Sequence, residues 1–344
     1  MDVLDASDSR LANLTQWVIE DLGFAGASIV PASVDASFRR YFRVTRDADS
    51  CIVMDAPPDK EDSRPFLNVA RILGRLDLNV PIVLARDLER GFLLLSDLGS
   101  RQYLDALPKG GAADALYADA LKALRTMQTA DAGLSKGLPR YDRALLKREM
   151  ELLPEWFLQR HLGLDVGAGE RAMLDRLFDS LADAALSQPA CFVHRDYHSR
   201  NLLVTAENNP GILDFQDAVW GPVTYDLASL LKDCYIAWPP ARVREWVREY
   251  REDLLGAGFE LDCSAAEFMR WFDLIGLQRH IKVLGIFARL FYRDGKSQYL
   301  NDLPRVLDYA RDTAAGYPET AAFAEFVVRH IDLEFKGAQQ RALA

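Results

Sequence analysis

Apolar residues recur at helical spacing through Leu11, Leu14, Trp17, Val18 and Leu22, and Gly23 supplies a stop. The period then shortens. Ser28 to Val34, Tyr41 to Thr45 and Cys51 to Met54 read as strands, with Asp35-Ala36-Ser37 and Asp47-Ala48-Asp49-Ser50 as their turns. Helical spacing returns from Pro65 to Leu76 through Phe66, Val69, Ile72, Leu73 and Leu76. Ile82 to Ala85 and Phe92 to Leu95 then make a hairpin pair around Glu89-Arg90-Gly91. Five strands with one long helix after the third predict a small, antiparallel, β-rich lobe over residues 1–97.

Beyond Tyr103 the pattern is mostly helical. Ala112 to Ala130, Arg143 to Leu162 and Met173 to Ala185 are amphipathic, as are Tyr225 to Tyr235, Ala241 to Leu255, Ala265 to Tyr292, Leu303 to Ala314 and Thr320 to Phe335. Three short apolar runs interrupt them: Cys191 to Val193, Leu202 to Val204 and Gly211 to Leu213. No internal repeat or low-complexity tract is visible, so residues 98–344 read as one large helical lobe. The expected class is α+β, in two lobes.

Composition narrows the function. A net charge of −10 argues against general nucleic-acid binding, which needs a basic footprint. It also requires any phosphate site to gather cations locally. Cys51, Cys191, Cys234 and Cys263 are far apart, which favours neither a zinc site nor a disulfide framework and fits a reduced, cytoplasmic setting. The acidic, polar start lacks the apolar core of a secretory signal, and no run approaches the roughly 18 apolar residues of a membrane span. Neither a membrane nor a protein partner is implied.

The chemistry concentrates in His194-Arg195-Asp196-Tyr197-His198-Ser199-Arg200-Asn201, followed by Ile212-Leu213-Asp214-Phe215-Gln216. A carboxylate, an amide five residues on, and a second carboxylate past a short hairpin are what phosphoryl transfer from a nucleotide requires. Asp196 would orient an attacking hydroxyl and accept its proton. Asn201 and Asp214 would give Mg²⁺ hard oxygen ligands. Single Asp and Asn residues more often serve turns and caps. Here the order strand, loop, strand, turn, strand, carboxylate supports the catalytic reading.

On these motifs the chain resembles the aminoglycoside phosphotransferase-like family, relatives of choline kinases and distant cousins of protein kinases. Gly221-Pro222-Val223-Thr224-Tyr225-Asp226-Leu227-Ala228 is the family's usual sequel. Within that family, four stretches resemble the bacterial branch of anomeric N-acetylmuramate and N-acetylglucosamine kinases: Ala36 to Val44, Met54 to Pro58, Phe92 to Gly99 and Gln278 to Leu290. The resemblance implies a protein-kinase-like fold, with ATP and Mg²⁺ as cofactors. An N-acetylated amino sugar would take phosphate at its C1 hydroxyl, in peptidoglycan recycling. It also implies Asp196 as the catalytic residue, Asn201 and Asp214 as metal ligands, and adenine held by backbone around Ser96 to Gly99, where Ser96 and Leu98 are the named candidates. A cap for the next helix at Asp97 or Ser100 is an equally open reading of those side chains. Asp226 is expected to cap its helix or brace the loop, and His194 to hold the loop by packing and hydrogen bonding.

Two departures matter. The third strand, Cys51-Ile52-Val53-Met54-Asp55, lacks the lysine that grips nucleotide phosphates in kinases, and a phosphate-facing Asp55 would repel them unless it helped to hold metal. The glycine-rich loop is also absent. Ser37 and the backbone of Asp35 to Arg40, Phe38 included, are left to cradle phosphate. Arg39, Arg40, Arg43 and Lys60 are the cations available, unless they sit on a solvated surface. For the sugar, Gln278, Arg279, Lys282 and Arg289 form a basic stripe in an apolar helix suited to a lactyl carboxylate, with Tyr235 and Trp238 for the ring. Salt bridges to neighbouring helices are the competing reading. His198 is a further substrate candidate. The alternatives are another hydroxyl kinase, for an aminoglycoside, choline or amino-alcohol, or a nucleotide-binding pseudokinase scaffold.

Overall fold

The computed structural model describes residues 8–34, 38–107 and 113–343. In chain order the elements are α1 (Ser9–Gln16), β1 (Ser28–Val34), β2 (Arg40–Arg46), β3 (Asp49–Asp55), α2 (Arg64–Gly74), β4 (Val83–Asp87) and β5 (Phe92–Ser96). Then follow α3 (Tyr103–Ala106), α4 (Ala113–Gln128), α5 (Arg143–Met150), α6 (Ala168–Leu186), β6 (Ala190–Val193), β7 (Leu202–Leu203), β8 (Gly211–Ile212) and β9 (Val219–Pro222). The chain ends in α7 (Tyr225–Leu231), α8 (Pro240–Gly256), α9 (Ala265–Asp294), α10 (Leu303–Ala314), α11 (Ala321–Phe326) and α12 (Asp332–Leu343). Two compact units result: Met1–Ser100 with Thr205–Gln216, and Arg101–Val204 with Asp217–Ala344.

The first unit is built on a five-stranded antiparallel sheet in the order β1-β2-β3-β5-β4. Asp8 starts α1 by accepting the N–H groups of Arg10 and Leu11 at 3.1 and 3.0 Å. The helix then widens into a π-helical turn, Trp17–Asp21. Its Leu14, Trp17 and Val18 pack on Phe42, Val44, Val53, Phe92 and Leu94, the alternate positions of the central strands. The other alternates, Met54, Leu93 and Leu95, are buried too, so β3 and β5 are covered on both faces. Gly91 turns the chain from β4 into β5 with φ +77°, and a Cβ there would lie 2.0 Å from the Ala56 carbonyl oxygen. No side chain fits that position.

In the second unit, α9 is the central element. Ser264 caps it by accepting the Glu267 N–H, Gly295 ends it in the left-handed conformation, and the face from Leu274 to Gly285 is buried among α5, α6, α7 and α10. A π-helical segment, Leu153–Leu162, also lies along α9, and a Cβ on Gly285 would meet the Leu152 backbone at 2.3 Å. Only glycine permits that approach. The helix expected over Arg143 to Leu162 is therefore two segments, broken before Pro154, whose ring cannot continue an α-helix from within. Likewise Tyr225 to Tyr235 ends at Leu231, and Asp49-Ser50, expected in a turn, open β3. β9 was not expected. It pairs antiparallel with β6, Val193 opposite Val219, and fixes the residue from which the catalytic motif departs.

Candidate active site

In the second unit, β6 delivers the chain to His194, and Asp226 on α7 receives it. One carboxylate oxygen of Asp226 accepts the His194 N–H at 2.6 Å and the other accepts the Arg195 N–H at 3.0 Å. Of the two roles expected of Asp226, this is the loop brace. Burial pushes its carboxyl up to about 7, against those two donors. Arg195 sits at φ +77°, uncommon for a side-chain-bearing residue, and is held from three sides. Its carbonyl accepts from Arg279 Nη1 at 2.7 Å, and its guanidinium reaches Glu149 and the Asp217 carbonyl.

Asp196 hangs from that clamped peptide. Its N–H donates to His194 Nδ1 at 3.3 Å, so His194 holds the loop as expected. Its carbonyl accepts the Asn201 Nδ2 amide at 2.9 Å and the His198 N–H at 3.1 Å. Asp233 accepts the N–H groups of Ser199 and Tyr235, closing the loop from the other side. The Asp196 side chain is 37% exposed, and Arg279 Nη1 stands 3.6 Å from Oδ1. Burial alone would raise this carboxyl, but Lys282, Arg279, His198 and Arg195 together outweigh it and hold Asp196 well below the usual carboxylate range. It is an ionised, partly solvated carboxylate on a rigid loop.

The cations expected to receive a substrate carboxylate have internal partners. Lys282 Nζ lies 3.1 Å from Glu149, which also accepts from Arg195, Tyr141 and Gln278. Glu149 is 7% exposed; burial would raise its carboxyl, yet Lys282 and Arg195 hold it low. Lys282 and Arg279 both approach the Tyr225 hydroxyl, at 3.3 and 3.4 Å. Arg289 is half-buried on the same helix. Trp238 donates to the Tyr117 hydroxyl at 2.7 Å, a packing role. His198 stacks edge-on against Tyr235, and burial lowers its imidazole below the ordinary value. The sequence reading missed Glu149, Asp217 and Asp233. A signal existed for Glu149: it shares the apolar stripe of Leu146, Met150 and Leu153, where a carboxylate needs a buried cation.

In the first unit, Asp214 follows β8 at φ +61° and accepts from Gln216 Nε2 at 2.8 Å, while Phe215 is buried against Phe66. Arg39 Nη2 lies 3.6 Å from Asp214 Oδ1. Asp55 is fully buried and gripped by Arg10 Nε and Arg40 Nε, each at 3.0 Å. It is a structural acceptor in an arginine clamp, so neither the phosphate-facing nor the metal-holding reading applies. Arg40 is shared with Asp8, and Arg43 is tied to Asp97 at 2.6 Å and to the Gly99 carbonyl at 3.2 Å. Asp97 consequently caps no helix; it turns back to the Gly99 N–H. Ser96 binds Ile82 through both its N–H and its hydroxyl, Leu98 is half-buried, and exposed Phe38 donates its N–H to Glu61 at 3.2 Å. Ser37 lies outside the described residues.

Among the described residues no three His, Cys, Asp or Glu side chains cluster as a metal cage. Magnesium binding of the kinase kind uses one or two protein oxygens and completes its shell with phosphates and water. The residue types suit such a cation: Asn201 and Asp214 each carry a side-chain oxygen, and the Asp214 carboxylate is 36% exposed.

The model of the phosphotransferase enzyme family matches residues 28–265, and the chain belongs to that family. It is therefore a phosphotransferase acting on a hydroxyl acceptor. An N-acetylmuramate/N-acetylglucosamine kinase of Pseudomonas aeruginosa is 50% identical over 333 residues, covering 94% of this chain and 97% of its own length. One from Pseudomonas putida is 46% identical over 330 residues, covering 93% and 96%. Among solved structures, an ADP-bound aminoglycoside phosphotransferase superposes with a TM-score of 0.58 at 16% identity, covering 88% of this chain and 98% of its own. A choline kinase from Streptococcus pneumoniae gives 0.56 at 15%, covering 90% and 100%. The fold is thus the two-lobed kinase-like α+β fold, as the sequence led us to expect. No helix among the described residues is long and apolar enough to cross a membrane.

Proposed function

We propose that this protein is an ATP-dependent, cytoplasmic kinase that phosphorylates the anomeric hydroxyl of N-acetylmuramate and N-acetylglucosamine, returning cell-wall sugars to use. The observation that carries the reading is Asp196, ionised and partly exposed on a loop clamped by Asp226, Arg279 and Asn201, in a chain half identical to a kinase named for those two sugars. Four free thiols suit a reducing compartment, where ATP is also supplied.

Asp196 would align the sugar's C1 hydroxyl and take its proton as that oxygen bonds to the γ-phosphorus and the bond to ADP breaks. An anomeric hydroxyl is more acidic than an ordinary alcohol, so a weakly basic carboxylate suffices. Positioning and charge neutralisation then supply most of the rate. Asn201 and Asp214 are the proposed magnesium ligands; when bound, the ion would neutralise the β- and γ-phosphates. Arg39 is the proposed phosphate cation in place of the absent strand-three lysine. His198 is kept as a sugar contact, whereas Arg279 and Lys282 act on the sugar's side through the loop and Asp196.

Phosphorus NMR of the products formed from ATP with each sugar tests the reading. A phosphate coupled to the anomeric proton is expected. A C6 phosphate would overturn the position of transfer, and no phosphorylated sugar would overturn the substrate class.

A further inference from the structure

We propose that Glu149 is a positioning residue for Asp196: a buried counter-charge that occupies Lys282 and Arg195, keeps both off the Asp196 carboxylate, and fixes the peptide from which Asp196 hangs. The proposal rests on the reading of Asp196 as the proton acceptor.

Glu149 is almost wholly buried, and each of its oxygens is used twice. Oε1 takes Lys282 Nζ at 3.1 Å and the Arg195 guanidinium; Oε2 takes the Tyr141 hydroxyl and Gln278 Nε2, the latter at 3.4 Å. These donors come from α9, from the segment before α5, and from the catalytic loop itself. Glu149 therefore joins the helix that bears the basic stripe to the residue immediately preceding Asp196.

Charge balance makes the joint functional as well as structural. Three cations, Arg195, Arg279 and Lys282, share this part of the unit with three carboxylates: Glu149, Asp196 and Asp226, the last turned to the backbone N–H groups of His194 and Arg195. Arg279 already stands 3.6 Å from Asp196. Without the Glu149 charge, Lys282 and Arg195 would be buried without their ion-pair partner, and Asp196 is the other carboxylate that acts on both. They would draw it inward, weaken it further as a base and turn it away from a hydroxyl. The side chain of Arg195 would also lose its anchor, and with it the left-handed backbone setting that aims Asp196 outward.

The test compares Glu149→Gln, Glu149→Asp and Glu149→Gln/Lys282→Met with the wild type and with Asp196→Asn, measuring kcat and both KM values. For Glu149→Gln, kcat is expected to fall about ten- to a hundredfold while KM for ATP and sugar stays within about twofold, the signature of a transition-state effect. Glu149→Asp, which keeps the charge, should recover part of the loss. Removing the orphaned ammonium as well should also recover part of it, so the double variant should turn over faster than Glu149→Gln yet slower than wild type. Wild-type kcat in Glu149→Gln, a loss confined to KM, or a double variant no faster than the single one overturns the proposal. If Glu149→Gln does not fold, the double variant buries no lone ammonium and carries the test: wild-type kcat there overturns it, because Arg195 has still lost its anchor. Near-wild-type turnover in Asp196→Asn would instead overturn the catalytic reading, whereas an Asp196→Asn slowed about a hundredfold or more beside a fully active Glu149→Gln would remove only the present proposal.

Discussion

The Arg39 guanidinium lies 3.6 Å from the Asp214 carboxylate with only 10% of its side chain exposed. Both residues belong to the first unit, Arg39 from the chain entering β2 and Asp214 from the residues after β8. The other cations offered by the sequence are placed differently: Arg40 is held by Asp55 and Asp8, Arg43 by Asp97, and Lys60 is half exposed, 3.6 Å from Asp59. Of these four, Arg39 is the one beside the proposed metal ligand. A charge-assisted hydrogen bond to phosphate is worth about 1.5–3 kcal/mol, so Arg39→Gln is expected to raise KM for ATP about tenfold or more. KM for the sugar should hold. Steady-state kinetics with ATP varied at saturating sugar decides it, and an unchanged KM for ATP would remove Arg39 from the phosphate site.

Asp196→Asn keeps the shape of the side chain and its place on the loop but cannot take a proton. Its kcat is expected to fall about a hundred- to ten-thousandfold, the range for a lost general base, with nucleotide binding largely kept. The pH dependence has a definite sign. The folded-state carboxyl is held below the ordinary range, so the ionised, proton-accepting form is fully populated above about pH 5. Wild-type kcat at saturating substrates should therefore show no loss from Asp196 between pH 5 and 8. A midpoint inside that window assigned to this carboxylate, for example by infrared spectroscopy, would contradict the charge environment described here.

Asp55 stands near the position where kinases carry a lysine, yet its role is architectural. It is fully buried and neutralises two arginines, from α1 and β2. Asp55→Ala removes the anion from two guanidinium groups that are 33% and 38% exposed, one of which keeps Asp8, and is expected to cost about 1.5–3 kcal/mol of stability, the range for lost hydrogen bonds to a charged group. Urea denaturation measures the loss. Folded Asp55→Ala should bind ATP about as well as wild type; a selective loss of nucleotide affinity would return Asp55 to the phosphate site.

Much of this was legible in the chain because it is encoded locally. Short apolar runs such as Tyr41 to Thr45, Cys51 to Met54 and Phe92 to Leu95 marked five antiparallel strands with one helix after the third, and the sheet has those five; their order in the sheet came from the structure. The spacing of Asp196, Asn201 and Asp214 pointed to phosphoryl transfer, and the chain belongs to a phosphotransferase family. What stayed hidden was partnership over long sequence separations. The ion pairs of Arg43 with Asp97, just after β5, and of Lys282 with Glu149, from α5, could not be read from the chain. A charge's sequence neighbours do not reveal which distant carboxylate will neutralise it. The π-helical segments Trp17–Asp21, Leu153–Leu162 and Val327–Ile331 were equally unreadable, since their apolar spacing differs too little from that of an α-helix.

His280 makes acid sensitivity a property of the large helical unit. It is fully buried on α9 and stacked on Tyr309 with ring centroids 4.8 Å apart. Nε2 lies 3.0 Å from the Lys232 carbonyl, so it must be the protonated nitrogen, and buried Nδ1 has no partner. Protonating Nδ1 would strand a charge near Lys232 and Arg279. Burial, then those cations, lowers the imidazole to about 3, against the hydrogen bond to the carbonyl. An unfolded His280 titrates near its ordinary value of 6.5. Between those values the unfolded chain binds the extra proton, so the contribution is full above pH 6.5 and is lost as pH falls toward 3, at up to about 1.4 kcal/mol per pH unit. His280→Phe keeps the stacking, loses one hydrogen bond worth about 1 kcal/mol and removes the linkage. The variant should be less stable than wild type at pH 7.5, and by pH 4.5 the order should reverse, the two stabilities having moved about 2–3 kcal/mol relative to each other. Urea titrations at the two pH values give that difference directly. A wild-type advantage that does not change with pH would mean that His280 carries no proton linkage.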